Sequence, residues 1–197
     1  MQRRHHYEQA FEQYLRARRV PYVAVDEARR ALLPEGARLT VQEGGRARAI
    51  KSFDMVLYGE RDNLLVEVKG RRIAPSRAAR ADRPIRPSKG SLQSWVTLED
   101  VESLRTWEGL FGQGFVGAFL FVYWCDEQPP LPLFEEIFEF RGRWYAIRLI
   151  TLREYESAMR PRSQRWGTVH VPSAAFDRAS RPLLASGGVL YRPAETE

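Results

Sequence analysis

The chain has 197 residues, of which 44% are hydrophobic and 12% aromatic; this suffices for one packed core with an appendage and is too apolar for a disordered polypeptide. No stretch reaches the roughly 18 consecutive apolar residues that a membrane span needs, and the opening MQRRHHYEQAFEQ lacks the apolar segment of a secretory signal, so a cytoplasmic protein with no membrane partner is expected. The formal net charge of +6 is carried mostly by arginine, and Cys125 is the single cysteine; an internal disulfide and a cysteine-held zinc are excluded.

Residues 6–19 place Tyr7, Ala10, Phe11, Tyr14 and Leu15 on one face of an amphipathic helix. Pro21 ends it, and Tyr22 to Val25 reads as a short strand. Asp26 to Leu33 suggests a second helix, closed by Pro34 and Gly36. Two strands follow, Ser52 to Tyr58 and Leu64 to Lys69, joined through a Gly-containing turn as a hairpin. From Gly70 to Ser94 the chain is basic and rich in Pro, Ser and Ala with no apolar face, which predicts a loop. Thr97-Leu98-Glu99-Asp100 resembles a capping box with Asp in the Glu position, opening a helix whose buried stripe reads Leu98, Val101, Leu104, Leu110 and Phe111 and which ends near Gly112 or Gly114. Phe115 to Trp124, FVGAFLFVYW, is a strand buried on both faces. After Pro129-Pro130, Ile137 to Phe140 pairs with Trp144 to Ile150 across Arg141-Gly142-Arg143, and Thr151 with Glu154 caps a helix running to about Arg160. Beyond Pro161 the pattern weakens. A helix leading into a hydrophobic strand is the unit of an α/β layer fold.

The chemistry concentrates in the first hairpin. Glu67 and Lys69 stand two apart in one strand and share a face, and Asp54 stands in the neighbouring strand among Phe53, Met55, Val56 and Leu57. Alternating charged and apolar residues also describe any edge hairpin with one wet face. Asp54 departs from that bland reading, because apolar neighbours on both sides imply burial, and a buried carboxylate needs a partner. Two carboxylates at close range repel unless a cation or the lysine compensates, and hard oxygen donors are what Mg²⁺ prefers. Such an ion can acidify water and offset charge on a phosphate under attack.

The string FDMVLYG followed by EVK resembles the D-x(n)-E-x-K signature of PD-(D/E)XK nucleases, and is similar in particular to archaeal Holliday-junction resolvases and Mrr-type restriction enzymes. The resemblance implies an α/β fold: a restriction-endonuclease-like mixed central sheet flanked by helices, here with an additional C-terminal α+β extension. It implies that Asp54 and Glu67 hold a divalent metal, Mg²⁺ or Mn²⁺, that the Val68 backbone carbonyl is a further ligand, and that Lys69 assists the attacking water. In the family's first helix a Glu is followed by apolar residues three, six and seven positions on; Glu8 has that place here, with Glu12 as the alternative carboxylate. The resemblance covers residues 6 to about 124. It therefore divides the chain into a nuclease-like core over 1–124, including the basic loop 70–94, and an extension over 125–197 packed on the same domain. Phe53 stands where the family has Pro.

Arg71, Arg72, Arg77, Arg80 and Lys89 in that loop read either as a solvated basic segment or as a grip on phosphates. Trp95, which follows the loop, suits core packing better than base stacking, and Trp144, Tyr145 and Trp166 are assigned to the core or an interface. The expected function is metal-dependent hydrolysis of phosphodiester bonds in DNA, with a homodimer compatible with symmetric substrates. The alternatives are a nucleic-acid-binding module that keeps the fold without cutting, and a protein-interaction domain.

Overall fold

The computed structural model describes residues 5–25, 39–60, 62–73, 92–126, 128–129 and 134–184. The helix expected over 26–33 and most of the basic loop lie outside the described residues.

The first helix, α1 (His5–Ala17), is followed by β1 (Tyr22–Ala24) and a small hairpin of β2 (Thr40–Glu43) and β3 (Arg46–Ala49). Next come β4 (Met55–Leu57), β5 (Asn63–Arg72), β6 (Val96–Thr97), α2 (Leu98–Phe111) and β7 (Phe115–Cys125). The chain continues through β8 (Ile137–Phe140), β9 (Arg143–Thr151) and α3 (Leu152–Ala158), and then β10 (Arg160–Ser163), β11 (Thr168–His170) and α4 (Ser173–Ala179).

Six strands form a mixed sheet in the order β1-β4-β5-β7-β9-β8. β5 and β7 run parallel and the other neighbours antiparallel. A parallel neighbour requires a crossover, and α2 supplies it. Both faces of this sheet are covered, giving a mixed α/β fold in which helices flank a central sheet. On one face α1 buries Ala10, Phe11, Tyr14 and Leu15 against Met55, Leu64, Val66, Leu120 and Val122. On the other, Val101 and Leu104 of α2, Leu152 and Tyr155 of α3 and Phe176 of α4 close over Leu65, Phe119, Phe121 and Tyr123. β7 lies between these layers, and its residues from Ala118 to Tyr123 have no exposed surface, which is why its sequence is an unbroken apolar run rather than an alternation.

Residues after 125 supply β8 and β9 to this same sheet, with β9 lying directly against β7. β10, β11 and β6 make a separate three-stranded sheet, so the C-terminal α+β elements reach back to pair with the strand that leads into α2. Beyond Pro161 the expected extension had no assigned elements, because short elements with polar, partly exposed side chains carry too little periodicity to be read alone.

The stripe expected along α2 needs correction. Val101 and Leu104 are buried, but Leu98, Phe111 and Leu110 are exposed, the last by 58%. The inward face instead carries Asp100 and Ser103, both buried. Polar residues occupy core-facing positions because that face meets a charged cluster on β5. Both expected capping boxes are present: Thr97 with Asp100 opens α2, and Thr151 with Glu154 opens α3. α3 stops at Ala158, two residues short of expectation.

Candidate active site

Asp54 immediately precedes β4, where its N–H donates to Val66 O at 3.0 Å and its carbonyl accepts from Val25 N at 2.9 Å. Its side chain reaches further along β5: Oδ2 accepts from the Val68 N–H at 2.6 Å, taking the place of a strand neighbour. Glu67 and Lys69 project from β5 toward α2, and Lys69 Nζ donates to Glu67 Oε1 at 2.8 Å. The β4–β5 pairing, with Met55 opposite Val66, sets Asp54 beside Glu67. The sheet thus brings the three motif residues together.

Two residues with no part in the sequence motif complete the cluster. Asp100, on the first turn of α2, accepts from Lys69 Nζ at 2.6 Å, and it also accepts from Lys51 Nζ. Lys51 Nζ donates in addition to Glu67 Oε1 at 3.0 Å. Its own backbone is pinned to α2, with its N–H donating to Ser103 Oγ at 3.2 Å and its carbonyl accepting from Trp107 Nε1 at 2.8 Å. Two carboxylates and two ammonium groups therefore alternate, and their formal charges cancel. The side chains of Asp100, Glu67 and Lys69 are 3%, 9% and 12% exposed, whereas Lys51 is 38% exposed and forms the solvent edge.

Electrostatics separate the two aspartates. Burial would raise the Asp100 carboxyl, but Lys69 and Lys51 overcome it and hold the group well below the usual carboxylate range. Burial would lower Lys51, and the charges of Glu67 and Asp100 instead raise it. Asp54 goes the other way: burial first, then the charges of Glu67 and Glu8, push its carboxyl well above the usual range, only partly offset by the Val68 N–H and by Lys69. Glu8, in the first turn of α1, thus faces Asp54 within electrostatic reach. Glu12 is engaged elsewhere, accepting from Arg16 Nη2 at 3.0 Å and from Tyr22 OH at 3.2 Å.

Among the described residues no group of three or more His, Cys, Asp or Glu stands close enough to hold a metal by itself. Asp54, Glu67 and the Val68 carbonyl remain as a smaller set of hard oxygen donors. That set suits Mg²⁺, which keeps several waters and is held by one or two carboxylates together with substrate phosphate. A cation beside Asp54 would offset the burial and the Glu67 and Glu8 charges that raise its carboxyl.

Of the expected basic residues, Arg71 turns inward. Its Nη1 donates to Gly70 O at 2.8 Å, its Nη2 to Trp95 O, and its guanidinium lies 4.1 Å from the Trp95 ring centroid. Arg72 faces out, pairs with Asp126 at 3.0 Å and lies 4.7 Å from the Trp124 ring. Arg77, Arg80 and Lys89 lie outside the described residues. Cys125 is buried, and burial pushes its thiol up to about 12, as an inert core residue requires. No described helix is long and apolar enough to cross a membrane.

Lys51 and Asp100 carried no motif. The available signal was that Asp100, as the capping-box acid, and Ser103 fall on the same helix face as Val101 and Leu104, so that face could not be wholly apolar.

No known protein family matches the sequence. No curated protein matches it either. Among solved structures the chain is similar to Archaeoglobus fulgidus Hjc, a Holliday junction resolvase from an archaeal hyperthermophile, with a TM-score of 0.41 and 13% sequence identity, over 88% of this chain and 91% of that one.

Proposed function

We propose that the protein is a divalent-metal-dependent nuclease that hydrolyses phosphodiester bonds in DNA at the cluster of Asp54, Glu67 and Lys69. The observation that carries this reading is the placement of a half-buried Asp54, bonded to the Val68 N–H, beside Glu67 and its partner Lys69 on adjoining strands. Asp54, Glu67 and the Val68 carbonyl would hold Mg²⁺ or Mn²⁺, with Glu8 as the next carboxylate from α1. When bound, such an ion supplies Lewis acidity, favouring ionisation of water and offsetting charge on the phosphate.

The remaining work falls to the side chains. An ammonium group has three N–H donors. Lys69 directs two toward Glu67 and Asp100, which leaves one for the attacking water or a non-bridging phosphate oxygen. Asp100 accepts from Lys69 Nζ and fixes its direction, and so acts as a positioning residue. Lys51, at the solvent edge of the cluster, is placed to meet phosphate as it arrives. Holding donors in place before the substrate binds removes the cost of reorganising them during the reaction.

Incubating the purified protein with branched, duplex and single-stranded DNA in Mn²⁺ tests the reading. Cleavage is expected on at least one substrate and should be lost in Asp54→Ala and in Lys69→Ala; undiminished cleavage in both would sink it. The engagement of Glu67 by both lysines favours a second reading, a nucleic-acid-binding module that does not cut. Salt-sensitive binding with no cleavage and no stabilisation by Mn²⁺ would select that one.

A further inference from the structure

The β10–β11 hairpin takes no part in the carboxylate–lysine cluster, yet its surface has an unusual chemistry. Residues 160–170, RPRSQRWGTVH, include Arg160, Arg162 and Arg165 and no acidic residue. At the tip, Trp166 is 70% exposed, more than any other large hydrophobic among the described residues. An indole presented to water at the end of a basic ribbon gains nothing for the fold.

The tip is held in shape. Gly167 N–H donates to Gln164 O at 3.2 Å across the turn, with Gly167 at a φ of 53°. The Arg165 guanidinium lies 5.3 Å from the Trp166 ring centroid. Arg162 is the extra residue where the register shifts between Pro161 and Ser163, and it reaches to 5.1 Å from the Trp95 ring, which Arg71 also covers. Bulges of this kind re-aim a side chain beside a site.

The hairpin is also tied to the cluster through the backbone. β11 pairs with β6, and Leu98 N–H donates to Gly167 O at 2.8 Å. Leu98 opens α2, whose Asp100 holds Lys69. A ligand gripped by the hairpin therefore lies beside the helix end that organises the lysines.

We propose that the β10–β11 hairpin is a binding wing for an unpaired strand of nucleic acid, in which Trp166 stacks on an exposed base and Arg160, Arg162 and Arg165 contact the flanking phosphates. An indole face complements the face of a base, which a continuous duplex hides within its stack, while arginines complement the phosphate repeat. The choice of nucleic acid as partner rests on the function proposed above; the wing itself deepens that reading by naming single-stranded or unpaired segments as what it selects.

Binding of a labelled single strand and of a blunt duplex of the same sequence, measured in EDTA, tests the wing without cleavage. Trp166→Ala is expected to weaken single-strand binding on the order of ten-fold, to leave duplex binding nearly unchanged, and to preserve the thermal unfolding midpoint. Trp166→Phe should restore most of the affinity. Replacing the three arginines by alanine should reduce the slope of log affinity against log salt by about 2. Unchanged single-strand binding in Trp166→Ala, equal losses in the Phe and Ala variants, or no binding of the wild-type chain to either nucleic acid at low salt overturns the wing; the last outcome leaves the tip to a protein partner. Absence of Mn²⁺-dependent cleavage with single-strand selectivity intact overturns the nuclease reading and leaves the wing standing.

Discussion

Asp54 and Asp100 are the same residue type within one cluster, and their surroundings drive them apart. Asp100 faces two ammonium groups, so its folded carboxyl gives up its proton more readily than the unfolded chain does. Its contribution to stability is fully present above its ordinary value of 3.8 and is lost as pH falls below that toward its depressed folded value. Asp100→Asn keeps an oxygen for the Thr97 N–H but removes the charge that faces Lys69. Its acid-unfolding profile should be flatter than that of the wild type, and under the proposed function Mn²⁺-dependent cleavage should fall about 10- to 100-fold. A pH series of thermal melts and initial rates on one substrate checks both effects. Asp54 has the opposite sign: its folded carboxyl holds its proton more tightly than the unfolded chain does, so stability falls as pH rises from 3.8 toward its raised folded value. Asp54→Asn is therefore expected to raise the melting midpoint at neutral pH in EDTA and to abolish most of any midpoint gain on adding Mn²⁺. Differential scanning fluorimetry with and without Mn²⁺ reads both, and a lowered midpoint in EDTA would contradict the assignment of an uncompensated acid.

At the scale of elements, the site depends on how closely α1 and α2 approach β5. Gly70 follows Lys69 on β5, and a Cβ there would overlap the Tyr7 ring of α1. Glycine is required at this point by close approach of two elements, not by a left-handed backbone. Gly70→Ala should push α1 outward and carry Glu8 away from Asp54, costing about 1–3 kcal/mol of stability as overpacked sites do. Urea denaturation measures the stability change, and under the proposed function Mn²⁺ affinity by calorimetry should weaken in the same variant. α2 is fixed by the reciprocal bonds of Thr97 and Asp100, each contributing at the other's backbone. The same Asp100 Oδ2 also accepts from Lys69, so helix capping and orientation of the lysine share one atom. The capping box was legible in the residue spacing. That its acid would turn toward a lysine on β5 was not, because the choice depends on which face of α2 meets the sheet.

Over the whole molecule, the C-terminal third completes the sheet that holds the cluster. β9 pairs with β7 over eight register positions, from Ala118 opposite Thr151 to Cys125 opposite Trp144. Removing residues 127–197 would strip that partner from β7 and bare a long apolar edge, a template for aggregation. The truncated chain is expected to lack a cooperative unfolding transition by circular dichroism and to accumulate in inclusion bodies; a soluble, two-state fragment would show that the N-terminal half suffices. The sequence by itself determined α1, the β4–β5 hairpin, the doubly buried β7, the β8–β9 hairpin and both capping boxes, because each follows from local periodicity, turn chemistry or a cap within a few residues. It also determined that Glu67 and Lys69 share a face, since a two-residue spacing on a strand fixes it, while the β4–β5 register brought Asp54 beside them. Only the tertiary structure decided that Lys51 and Asp100 join them, that α2 turns polar residues inward, and that β10 and β11 return to β6. These are contacts between segments distant along the chain, and their partners are chosen by the packing of layers, which no local pattern encodes.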